Sequence, residues 1–107
     1  MSNLDAILAT VKNEVTAYAA GQFKDLKNEA IADGLAFVKA IETDLPTWTK
    51  QFTVGKLSQD EFKFLVGSKK ELAELAALKA TGVAQARKDG FVNGLAAVVV
   101  NAVVKAV

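Results

Sequence analysis

Neither cysteine nor histidine occurs in the 107 residues. Without cysteine there is no disulfide framework and no thiolate metal site, and the redox character of the compartment is left open. Without histidine the usual general base is missing, together with the commonest neutral metal ligand. An enzyme built from this chain would have to work with carboxylates, lysines, Ser/Thr hydroxyls or the single tyrosine, Tyr18. An excess of one charge is also lacking: thirteen Lys/Arg stand against twelve Asp/Glu, interspersed throughout. No segment carries the dense basic stripe that tracks a phosphate backbone, so nucleic acid is not an expected partner. The longest strongly apolar window, residues 91–104, contains Asn93 and Asn101 and falls short of the roughly 20 residues that span a bilayer. The first residues, MSNLDAILATVKNEV, lack a basic start and place Asp5 and Lys12 where a signal peptide is continuously apolar, so a cytoplasmic address is expected.

With only one proline, Pro46, and abundant Ala, Leu, Lys and Glu, the composition favours helix almost throughout. Asn3 is placed to cap a helix that puts Leu4, Leu8, Val11, Val15 and Tyr18 on one face, with Ile7 beside it. The later apolar positions Phe23, Leu26, Ala30, Ile31, Phe37, Val38, Ile41 and Leu45 centre on a face turned by roughly 90° from the first. The shift occurs around Gly21. A bend or break there would account for it, but so would an eleven-residue repeat, because Leu4, Val15, Leu26 and Phe37 are evenly spaced, as are Leu8, Ala19, Ala30 and Ile41. The repeat predicts one locally distorted helix over residues 4–43.

Pro46 ends that helix and suits the first turn of the next, with Thr43 or Asp44 as its cap. A short helix through Trp48 and Phe52 should stop near Gly55. Ser58-Gln59-Asp60-Glu61 has the spacing of a capping box, which opens a second short helix carrying Phe62 and Leu65. Ser68 and Glu71 repeat that spacing and predict the start of a long final helix. There Leu72, Leu75, Ala76, Val83, Ala86, Gly90 and Gly94 are expected inward, with Lys70, Glu74, Thr81, Gln85 and Lys88 outward. Beyond Asp89 the pattern loses its polar face.

Gly82, Ala86, Gly90, Gly94 and Val98 recur at four-residue spacing in this last segment. Small residues so spaced form a groove that admits another backbone, so these five are the candidate interface, within the chain or between chains. On this reading Gly90→Leu disrupts folding or assembly. Asp25, Glu29 and Asp33 form a column of carboxylates, but the column lies opposite the apolar residues and reads as a solvated helix face rather than a cation site. Gly67-Ser68-Lys69-Lys70 lacks the spacing of a phosphate loop. Trp48, Phe52, Phe62 and Phe64 concentrate aromatics in the connector and are expected to seal the end of a bundle.

The resulting expectation is a single all-α domain, a long helical hairpin with a short two-helix connector, completed by self-association into a helical bundle. No catalytic, cofactor-binding or metal-ligating residue is assigned. The expected function is a non-enzymatic structural or protein-interaction module that forms a homo-oligomer or binds another protein. The alternative is a lipid-interacting protein whose apolar C-terminal helix inserts into a membrane.

Overall fold

Residues 4–107 are described by the structure, a computed structural model, so the predicted Asn3 cap lies outside the described residues. Six α-helices and one 3₁₀ turn follow one another with no strand among the described residues: α1 (Leu4–Gln22), α2 (Lys27–Ile41), α3 (Leu45–Thr53), α4 (Gln59–Ser68), the 3₁₀ turn (Lys70–Leu72), α5 (Ala76–Ala80) and α6 (Gln85–Ala106). The all-α class and the two-helix connector are those the sequence implies. Both long arms of the expected hairpin are interrupted, however, and each interruption has a local cause.

The first interruption overturns the eleven-residue reading. Helix α1 buries Ile7, Val11, Val15 and Ala19, and α2 buries Ala30, Phe37, Val38 and Ile41. A straight helix cannot turn both faces toward one core, because they are a quarter-turn apart. The chain instead reverses at residues 23–26, where the Leu26 N–H donates to the Phe23 carbonyl at 3.1 Å and Phe23 is drawn into the core. Gly34 then faces Val15, while Leu8 shares a cleft with Glu42 and Leu45, so α2 runs antiparallel to α1.

The connector follows its punctuation. At the end of α3 the Lys56 N–H reaches the Gln51 carbonyl at 2.8 Å and the Gly55 N–H the Phe52 carbonyl at 3.2 Å, a Schellman closure with Gly55 at φ +80°. The Ser58 capping box forms as expected: the Glu61 N–H donates to the Ser58 hydroxyl and the Ser58 N–H to the Glu61 carboxylate. The Ser58 backbone N–H, with the Ser58 hydroxyl beside it, holds the Glu61 carboxyl below its usual range. Asp44 stands at the N-cap of α3 without a side-chain capping bond. Trp48 and Phe62 are buried, and Phe52 packs on Phe62 with ring centroids 5.7 Å apart.

The second predicted capping box does not form. Ser68 closes α4, and its hydroxyl donates to the Leu65 carbonyl rather than opening a new helix. The chain then takes the 3₁₀ turn, passes through a left-handed Leu75 (φ 51°) and makes the five-residue α5. What fixes α5 comes from far away in sequence. Asp33 on α2, only 6% exposed, accepts the Ala77 N–H at 3.1 Å on one carboxylate oxygen and the Leu78 N–H at 2.8 Å on the other. Asp33 therefore faces the core, not the solvated column expected of it. Leu78, pulled in beside it, is fully buried.

Helix α6 packs against both α1 and α4. Its contacts with α1 and the loop after it run in reverse order, Glu14 with Lys105, Tyr18 with Phe91 and Asp25 with Arg87, so it returns antiparallel. Phe91, Val92, Leu95, Ala96, Val99, Val100, Ala102 and Val103 are buried. A narrow outer stripe survives through Asn93, Asn101 and Lys105, so the segment is not apolar all round as its composition suggests. The molecule measures 43 × 23 × 19 Å. Replacing Asp33 with alanine leaves two N–H groups of α5 without acceptors and should lower stability by about 1–3 kcal/mol. Urea unfolding followed by the fluorescence of Trp48, the only tryptophan, measures this directly.

Candidate functional site

The Gly/Ala ridge is divided by the structure. Gly82 ends α5 at φ +79° and is exposed; Ala86 and Gly90 lie on the open side of α6, and a Cβ on Gly90 would meet nothing within 4 Å. Gly94 is different, since the Tyr18 hydroxyl occupies the place where its Cβ would be. That hydroxyl donates to the Phe91 carbonyl at 3.1 Å, and the Tyr18 and Phe91 rings stack with centroids 5.5 Å apart. Phe23 meets Phe91 edge-on at 5.1 Å. Val98 is half-buried against the core. Of the five candidate residues, then, Gly94 and Val98 belong to an internal seam and the other three face outward. A second close approach, absent from the ridge reading, occurs at Gly34, whose Cβ would stand 2.9 Å from a Val15 methyl carbon. Its signal in the sequence is a lone glycine within an otherwise regular helix.

The start of α6 carries two adjacent cations, Arg87 and Lys88. Arg87 lies 4.3 Å above the Phe23 ring centroid and pairs with Asp25 at 3.0 Å, which holds the Asp25 carboxyl below its usual range. With Asp25 on Arg87 and Asp33 turned toward α5, the carboxylate column does not converge. No group of three or more potential ligands that could hold a metal ion occurs among the described residues.

Lys88, expected outward, is only 9% exposed. It lines a cavity of about 460 Å³ between α6 and the segment of chain from Lys70 to Lys79. Gln85, Lys88, Asp89, Val92 and Asn93 contribute one face of α6 to it. The burial has a topological cause: the 3₁₀ turn and α5 fold back over a face that a single straight helix would leave open. Three acids, Glu71, Glu74 and Asp89, also line the cavity. None of them is within ion-pair distance of Lys88, and Asp89 accepts from the Gln85 side-chain amide at 2.8 Å.

A second surface lies on α4. Phe64 is 75% exposed, contrary to its expected place in the bundle seal, while Phe62 two residues earlier is buried. Phe64 lines a shallow depression with Leu57, Leu65, Asp60 and Glu61. Phe64 and the two leucines thus form a small exposed apolar surface bordered by two carboxylates.

Compared with known protein families, characterised proteins and solved structures, the chain matches none.

The two helical glycines of α6 should respond oppositely to alanine. Gly94→Ala drives a methyl group into Tyr18 and should cost about 1–3 kcal/mol. Gly90→Ala enters open space and should stabilise by about 0.5–1 kcal/mol. Paired urea titrations check this, and they replace the expectation that Gly90 is the sensitive position. Burial also pushes the Tyr18 hydroxyl above its usual pKa. Its neutral form is favoured in the folded state, so its contribution is fully present below pH about 10 and is lost as pH rises through the folded value. Urea midpoints across this range should show a loss in the parent protein that Tyr18→Phe lacks.

Proposed function

We propose that this protein is a non-enzymatic interaction module that acts in the cytoplasm by helical self-association, with the exposed face of α4 as the contact surface. The observation that carries this reading is Phe64, which stands 75% exposed beside Leu57 and Leu65. Such a side chain stabilises an interface by about 1.5–3 kcal/mol when fully buried. Asp60 and Glu61 are flanked in the sequence by Lys56 and Lys63, and all four are exposed. A patch bearing both charges beside its apolar centre suits a two-fold contact, where each acid can lie near a lysine of the other copy.

Because Phe64 contributes little to the internal core, Phe64→Glu should leave helix content and unfolding midpoint nearly unchanged while abolishing association. Sedimentation velocity over a micromolar to millimolar series checks this. A parent protein that stays monomeric throughout the series refutes self-association.

A second reading, membrane insertion, draws support from α6, whose 22 residues are long and apolar enough to cross a bilayer by length and composition. Insertion would require α6 to leave Tyr18, Phe23 and the core, and 44% of its apolar window is buried within the protein. Liposome co-sedimentation separates the two readings, because self-association through α4 needs no lipid.

A further inference from the structure

We propose that the cavity at the start of α6 binds a small organic anion, a compact molecule carrying a single carboxylate or phosphate group, through the Lys88 ammonium. Helix α6 opens at Ala84 without a side-chain cap and has no acidic residue in its first turn. Its first N–H groups and the positive end of its dipole are therefore uncompensated by the protein itself. Two cations, Arg87 and Lys88, add to that positive end. Arg87 is balanced by Asp25 and the face of Phe23. Lys88 has no ion-pair or hydrogen-bond partner for its ammonium among the described residues, although it is nine-tenths buried.

The ammonium also has an outlet. Thr49 Oγ1 is the one sealed, unpartnered side-chain polar atom found among the described residues, so the Lys88 Nζ is not sealed, and the cavity is the space that Lys88 lines. Gln85, in the first turn of α6, stands beside Lys88 in the lining of that space. A buried, unpartnered lysine side chain and the first-turn residue Gln85 thus line one cavity of a size suited to small molecules. Lys70 and Lys79 add exposed cations to the lining, while Glu71, Glu74 and Asp89 limit the negative charge it tolerates. Those acids repel a nucleotide triphosphate or a nucleic-acid strand but leave room for a single anionic group at Lys88.

The test uses inorganic phosphate and acetate as probes, with ionic strength held constant by sodium chloride, and follows ¹H–¹⁵N spectra and thermal unfolding. Saturable shifts centred on Gln85–Asp89 and a rise in midpoint are expected for the parent protein. Lys88→Met should weaken binding by about 10- to 100-fold, the value of one charge-assisted hydrogen bond. Without probe, this variant should be about as stable as the parent, because the ammonium it removes has no partner within the described residues. Lys12→Met, which removes an exposed cation on α1 outside the cavity, should bind within about twofold of the parent. Equal responses of parent and Lys88→Met, equal losses in both variants, or shifts that do not saturate or lie elsewhere would each overturn the proposal. The spectra of the parent protein locate binding even if a variant does not fold.

Discussion

The close approach of Tyr18 to Gly94 is the constraint on which the rest of the bundle depends. The tip of the Tyr18 ring can reach α6 and donate its hydroxyl to the Phe91 carbonyl only where the helix presents no Cβ. That contact sets the height of α6 along α1, and with it the positions of Phe91 against Phe23 and of Arg87 against Asp25. Gly34 does the same for α2, admitting Val15 and lying near the Phe91 ring and a Leu95 methyl carbon. Two missing side chains thus let three helices share one apolar centre at close range.

The Asp33 carboxylate performs the corresponding task for the irregular part of the chain. A five-residue helix is too short to be stable alone, since nucleation consumes most of what its few hydrogen bonds return. Two charge-assisted bonds from α2, with Leu78 buried beside them, hold α5 in place. Placing α5 there lays the segment from Lys70 to Lys79 alongside α6 and creates the cavity over Lys88. The putting-together of that cavity therefore depends on a residue more than forty positions away in sequence.

The two functional proposals rest on different physical grounds. The α4 surface offers apolar area with charges of both signs, which suits a broad and weakly directional contact between copies. The Lys88 cavity offers one directed charge in a recess, which suits a small ligand. The polar and apolar surfaces belong to separate parts of the fold, α4 at Phe64 and the first turns of α6, so occupying one does not require vacating the other.

Helical class, the connector and two of its stops were legible in the sequence because they arise from neighbours: Pro46, Gly55 and the Ser58 capping box act within a few residues of themselves, whereas the Ser68 box did not form. The quarter-turn offset between the apolar faces before and after Gly21 also marked the reversal at residues 23–26, although the regular eleven-residue spacing argued for continuity. The ridge, the inward turn of Asp33 and the burial of Lys88 were not legible in the same way. Four-residue spacing makes Gly90 and Gly94 alike, and only the position of Tyr18 distinguishes them. A carboxylate on a helix reads as solvated until a distant pair of N–H groups arrives to meet it. Local hydrogen bonding and periodicity thus determined the helices of this protein from sequence alone, while the tertiary structure decided which glycine is essential, which charge is buried and where the cavity lies, because each depends on a partner remote along the chain.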